Sequence, residues 1–122
     1  MHLQHSNGDV VVVDVNATRA ETATATALGD KIRALLEHGH RFIILNVADL
    51  AYVDSVWLGA IVQGYASAIR LGGALKLVHV SSRFRELLRV TKLDSILERF
   101  ESEDDAAASF RTRRDSKDRL SP

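Results

Sequence analysis

One run in this chain has residue types and spacing suited to chemistry: Asp49-Leu50-Ala51-Tyr52-Val53-Asp54-Ser55-Val56-Trp57-Leu58-Gly59. It follows the apolar stretch Phe42-Ile43-Ile44-Leu45 and opens an amphipathic one, so Asp54-Ser55 stands where a buried strand hands over to a helix. Asp54 can serve as the N-cap, its carboxylate accepting from the free amides of Val56 and Trp57. Ser55 is then the first helical residue, with its hydroxyl near the positive end of the helix dipole. A hydroxyl held there can receive a phosphate, because backbone amides tolerate the new charge. The same pair can equally be a plain cap, and the local sequence leaves both readings open.

Other chemistry is poorly supported. The histidines are His2, His5, His38, His40 and His79, and none belongs to a His-Glu-x-x-His pattern. His38 and His40 straddle a glycine and read as solvated loop side chains, while His79 reads as a half-buried imidazole in a strand. Cysteine is absent, which removes thiolate metal sites, disulfides and cysteine nucleophiles. Gly72-Gly73 lacks the Lys-Ser/Thr of a phosphate loop and follows a helix, so it reads as a turn. Ser55 has no Gly-x-Ser-x-Gly elbow around it. No catalytic, cofactor-binding or metal-ligating residues are assigned, and the expectation is a protein that is not an enzyme and needs no cofactor.

Composition narrows the class. The 122 residues suit one core, and a chain 46% hydrophobic and 26% charged is globular. With 16 basic and 16 acidic side chains the formal net charge is zero, which gives no reason to expect a nucleic-acid partner. The N-terminal residues do not read as a signal peptide, and no apolar run is long enough for a bilayer span. The expectation is a cytoplasmic protein without direct membrane insertion.

The elements that must position Ser55 follow from the patterning. Asn7-Gly8 is a hairpin signal joining a short strand near Leu3 to a second through Val10-Val15. A helix is expected from about Glu21 to Glu37, then a strand from Arg41 to Val47. The helix begun at Asp54 carries Leu58, Ile61, Val62, Tyr65 and Ile69 on one face, and Leu71-Gly72-Gly73 closes it. Ala74-Val80 returns as a strand with alternation in its first half. Ser81 or Ser82 caps a short helix that buries Phe84, Leu87 and Leu88. Ile96-Phe100 reads as a last strand, and the acidic Glu103-Asp104-Asp105 as the start of a last helix. The expected core is Val11, Val13, Leu28, Ile32, Leu35, Ile43, Leu45, Leu58, Ile61, Leu77 and Leu88. The result is an α/β fold with a mixed, mainly parallel sheet of about four to five strands and helices packed against it. Residues 1–110 form the domain, and 111–122 read as a polar, disordered tail.

The ordered set Ile44-Leu45-Asn46-Val47-Ala48-Asp49-Leu50, Val53-Asp54-Ser55, Leu58-Gly59, Leu71-Gly72-Gly73-Ala74-Leu75-Lys76-Leu77 and Leu93 resembles the STAS domain family. More specifically it resembles the bacterial anti-sigma factor antagonists, from about Gly8 to Phe110. The resemblance implies binding to an anti-sigma factor that is a histidine-kinase-like serine kinase. It further implies phosphorylation of Ser55 by that kinase and reversal by a metal-dependent serine phosphatase. The implied partner-binding residues are Asp54, Ser55, Val56, Trp57, Asn16 and Thr18. The family usually has Asp-Ser-Ser/Thr-Gly-Leu-Gly, whereas Val56 and Trp57 fill its third and fourth places here. Trp57 is therefore a core anchor, an interface hot spot or an obstruction to a kinase. The family's Gly-x-Leu-Asp after the second strand is replaced by Asn16-Ala17-Thr18-Arg19. A non-catalytic assembly subunit of a stressosome or of an ABC lipid-transport complex, without phosphoregulation, is the alternative that the resemblance implies.

Overall fold

The computed structural model describes residues 2–7, 10–15, 22–50 and 54–110. Strand β1 (His2–Asn7) pairs antiparallel with β2 (Val10–Asp14), and the register is irregular between Leu3 and His5. Asn7 pairs with Val10, so it belongs to the strand and not to the turn, while Gly8 lies outside the described residues. Helix α1 (Thr22–Glu37), β3 (Phe42–Asn46), α2 (Ser55–Arg70), β4 (Ala74–Val78) and α3 (Ser82–Val90) follow. A 3-10 turn (Leu93–Ser95), β5 (Arg99–Phe100) and a helix α4 over residues 103–110 complete them. The sheet order is β1-β2-β3-β4-β5, with β2 to β5 all parallel, which gives the expected mixed sheet.

Two covered faces explain the strand sequences. Val11, Val13, Ile43, Leu45, Leu75 and Leu77 point to the side packed by α1, α2 and α3, with Leu28, Ile32, Ile61, Phe84 and Leu88 from those helices. All eleven expected core residues lie in this cluster. Val10, Val12, Ile44, Ala74 and Val78 point to the other side, where α4 contributes Ala106 and Phe110. The rings of Phe42 and Phe110 meet there at 5.0 Å between centroids. A parallel strand buried on both faces reads as a continuous apolar run, as β2 does.

Burial is likewise continuous along β4, so the alternation expected there is absent, and Lys76 is carried into the interior. Its Nζ donates to Ser109 Oγ at 2.6 Å and lies 3.4 Å from Glu98 Oε1. It also lies 4.6 Å from the centroid of the Phe110 ring. A buried cation is tolerable only when paired in this way. The charge thus ties α4 to the sheet.

Several boundaries differ from expectation. The buried stripe of α2 is Trp57, Leu58, Ile61, Gly64 and Ala68, while Ile69 is 45% exposed. The small residues draw the helix in: a Cβ on Gly64 would lie 2.5 Å from Ile32 Cδ1, so α1 and α2 approach where Gly64 leaves room. Strand β4 stops at Val78 because His79 takes a φ of 60°, which breaks the extended path. The last strand keeps only Arg99 and Phe100, since Leu93–Ser95 coil into the 3-10 turn. The expected tail, 111–122, lies outside the described residues.

Candidate functional site

Because β2 to β5 run parallel, the loops after β3, β4 and β5 gather at one edge of the sheet. The N-termini of α2, α3 and α4 start from that edge. Asp54, half-buried, caps α2 from an extended backbone (φ −133°, ψ −170°). Its Oδ1 accepts from the Val56 amide at 3.0 Å and the Trp57 amide at 3.2 Å. The Leu58 amide donates to the Asp54 carbonyl at 2.9 Å, the first bond of the helix. One carboxylate therefore satisfies two of the amides that every helix start leaves free.

The consequence is a sorted pair of surfaces. Ser55 and Val56 are exposed, while Trp57 and Leu58 turn into the core. Trp57 is fully buried, and its indole Nε1 has no hydrogen-bond partner among the described residues. Of the three readings of this residue, the structure places it as a core anchor, which fixes the direction in which Ser55 and Val56 face. Asn16 and Thr18 lie outside the described residues, so their relation to this site is not described.

Ser55 and Val56 open onto a groove of about 300 Å³ between α1 and α2. Helix α2 supplies Ser55, Val56, Gly59 and Gln63 to it, and α1 supplies Thr26, Gly29, Asp30 and Arg33. Arg33 Nη1 donates to Asp30 Oδ1 at 3.0 Å, so the charges on the groove wall neutralise each other. Gly29 and Gly59 differ from Gly64, because a Cβ on either would meet nothing within 4 Å. Mid-helix glycine costs about 0.5–1 kcal/mol relative to alanine, and no contact among the described residues explains the choice at these two positions. The contribution of α1 was missed by sequence reasoning. Its one signal was Gly29 inside a helix, away from any turn.

No group of histidines, acids or cysteines among the described residues is arranged to hold a metal. No helix among them is long and apolar enough to cross a membrane. His38, expected in solvent, is exposed and sits with its Nδ1 2.7 Å from the Ala34 carbonyl.

Comparison with known proteins gives a consistent result. A profile described as the STAS domain matches residues 5–106. The anti-sigma-B factor antagonist of Bacillus subtilis is 32% identical over 87 residues, which cover 70% of this chain and 79% of that protein. The crystal structure of an anti-sigma factor antagonist from Mycobacterium paratuberculosis superposes with a TM-score of 0.76 at 23% identity, covering 90% of this chain and 92% of that one. The phosphorylated form of the Bacillus cell fate determinant SpoIIAA gives 0.70 at 18% identity, over 88% and 96% of the two chains.

Proposed function

The chain belongs to the STAS domain family, resembles its anti-sigma factor antagonists, and from that premise we propose that it docks on an anti-sigma factor under control of Ser55. The observation that carries this reading is the exposed Ser55 hydroxyl at the start of α2, beside a carboxylate that has already taken the Val56 and Trp57 amides. Unmodified, this surface is small, neutral and partly apolar. Ser55, Val56 and Gly59 allow a partner to approach the helix closely, with Asp54 next to Ser55 in the chain. Asn16 and Thr18, in the segment between β2 and α1, are kept as further contacts in the proposal.

The partner is proposed to be a histidine-kinase-like serine kinase that modifies Ser55, with a metal-dependent serine phosphatase restoring the hydroxyl. A phosphate brings about −1.5 to −2 charges and three acceptor oxygens. With Asp54 already on the nearest amides, the new charge faces outward beside a like charge. It spoils the docked contact and leaves the fold as it was. The fold neighbour SpoIIAA, described in a phosphorylated form, supports such chemistry on this scaffold.

The reading is tested by affinity capture from the native host with wild-type and Ser55→Asp baits. A kinase-like ATPase held by the wild type and lost by Ser55→Asp is expected. Transporter or scaffold subunits held equally by both would make this an assembly subunit and leave Ser55 as a helix residue only.

A further inference from the structure

A second concavity, sharing no residue with the Ser55 groove, opens at the carboxyl ends of β4 and β5. Its volume is about 370 Å³, and it is lined by His79, Val80, Arg85, Arg99, Phe100 and Glu101. That volume falls at the lower end of small-ligand pockets, about 300–1,000 Å³. Its place follows the rule that open α/β sheets bind ligands outside the carboxyl ends of their strands.

The charges are the informative part. Arg85 comes from α3 and Arg99 from β5, two elements that converge only in the fold. Neither guanidinium makes an ion pair or hydrogen bond with another described residue. Arg33 is paired with Asp30 and Arg89 with Glu86, and Arg41 donates to the Leu36 and His40 carbonyls. Arg70 and Arg83 also have no such partner among the described residues, but they line neither this cavity nor the Ser55 groove. The His79 imidazole stands on the same wall, at a backbone φ of 60° that a non-glycine residue seldom adopts. Glu101 is the opposing charge on the lining. Two arginines and a histidine thus line one cavity with a single acidic residue, beside the half-buried Val80 and Phe100.

Like charges gathered around a concavity are stabilised by an anion between them. Guanidinium groups are suited to phosphate and carboxylate, which they bind with two parallel hydrogen bonds. The concave shape and apolar wall fit a compact molecule that enters, not a flat protein surface laid across. We propose that this cavity binds a small, multiply charged anion bearing phosphate or carboxylate groups, held by Arg85 and Arg99. The site goes beyond the Ser55 reading and does not depend on it.

The test is titration of the full chain with inorganic pyrophosphate, and separately with citrate, at constant ionic strength, followed by calorimetry and amide chemical shifts. Saturable binding is expected, with shifts gathered around His79, Arg85 and Arg99. Arg85→Gln and Arg99→Gln are each expected to weaken it at least about tenfold, with unchanged thermal midpoints. Ser55→Asp is expected to leave it unchanged. Tighter pyrophosphate assigns the site to phosphate groups, and tighter citrate assigns it to carboxylates. Non-saturable binding of both, equal binding by the glutamine variants, or loss with Ser55→Asp would each overturn the proposal. Saturable binding of an acidic peptide where neither small anion binds would also overturn it.

Discussion

The starts of α2 and α3 are built on one plan. Each has a capping side chain, two exposed residues and a buried aromatic ring: Asp54-Ser55-Val56-Trp57 in the first, Ser81-Ser82-Arg83-Phe84 in the second. In both, the cap accepts from the amide of the aromatic residue, Trp57 at 3.2 Å and Phe84 at 3.1 Å. The plan explains Trp57, which stands where the family has glycine: an aromatic in this place nails the first helical turn to the core. The differences lie in what is left outside. At α2 a carboxylate cap takes two amides and the adjoining groove is neutral. At α3 a hydroxyl cap takes one amide, and the neighbouring cavity is lined by Arg85 and Arg99, which have no ion-pair or hydrogen-bond partner among the described residues. On the two proposals above, an added phosphate would repel a partner at the first start, whereas a free anion would be attracted beside the second.

The largest expected effect tests the shared plan. Trp57→Ala and Phe84→Ala should each cost about 3–5 kcal/mol in urea unfolding, as for other buried aromatics. A loss below about 1 kcal/mol for Trp57 alone would break the comparison. Trp57→Phe should cost less than Trp57→Ala, since it keeps a ring and removes an indole N–H that has no partner among the described residues.

The next test separates the exposed residues. Ser55→Asp should weaken partner binding at least about tenfold, which corresponds to about 1.4 kcal/mol, while Ser82→Asp should leave it near the wild-type value. Equal loss from both would mean that any negative charge at this edge is enough. Surface plasmon resonance on the folded variants distinguishes the two outcomes.

A smaller difference is expected between the caps. Asp54→Ala should cost about 1–2 kcal/mol and Ser81→Ala about 0.5–1 kcal/mol, because the carboxylate serves two amides and the hydroxyl one. The order of the two thermal midpoints checks this directly.

The smallest effect concerns the exposed pair on α3. Arg89 hydrogen-bonds to Glu86, Nε to Oε2 at 3.1 Å, and holds the Glu86 carboxyl below its usual range. A depressed folded value means that any contribution is present above the unfolded value. It is lost as pH falls through the lower folded one. Because both side chains are solvent-exposed, Glu86→Gln should shift the midpoint hardly at all at neutral pH. A clear loss at neutral pH that disappears in acid would show this pair to matter more than an exposed pair should.

What could be read from the sequence was local. Capping depends on residues two or three apart, so the Asp54 carboxylate and its two amide donors were legible before any fold was known. The apolar runs of β2 and β3 and the eleven core residues were legible for the same reason. The fate of Trp57 was not, because its burial depends on strands and a helix distant in sequence. Ile69 was misplaced because the buried stripe of α2 runs through Gly64 and Ala68, small residues that a pattern of large apolar side chains does not pick out. Lys76 was unremarkable as a strand residue, since Ser109 lies 33 positions further on and Glu98 also comes from beyond the strand. The same holds for the cavity joining Arg85 to Arg99 and for the α1 wall of the Ser55 groove. Pairing across elements is a property of topology, and one chain read alone does not display it.

The central claim is that the Ser55 hydroxyl controls docking at the start of α2. It is tested most directly by the affinity of the proposed anti-sigma factor partner for two preparations of this protein, one unmodified and one stoichiometrically phosphorylated, in the same titration. Tight binding of the first is expected, with at least about tenfold weaker binding of the second and a phosphoryl group mapped to Ser55. Equal affinities, or a phosphoryl group carried elsewhere with Ser55 unmodified, would contradict it.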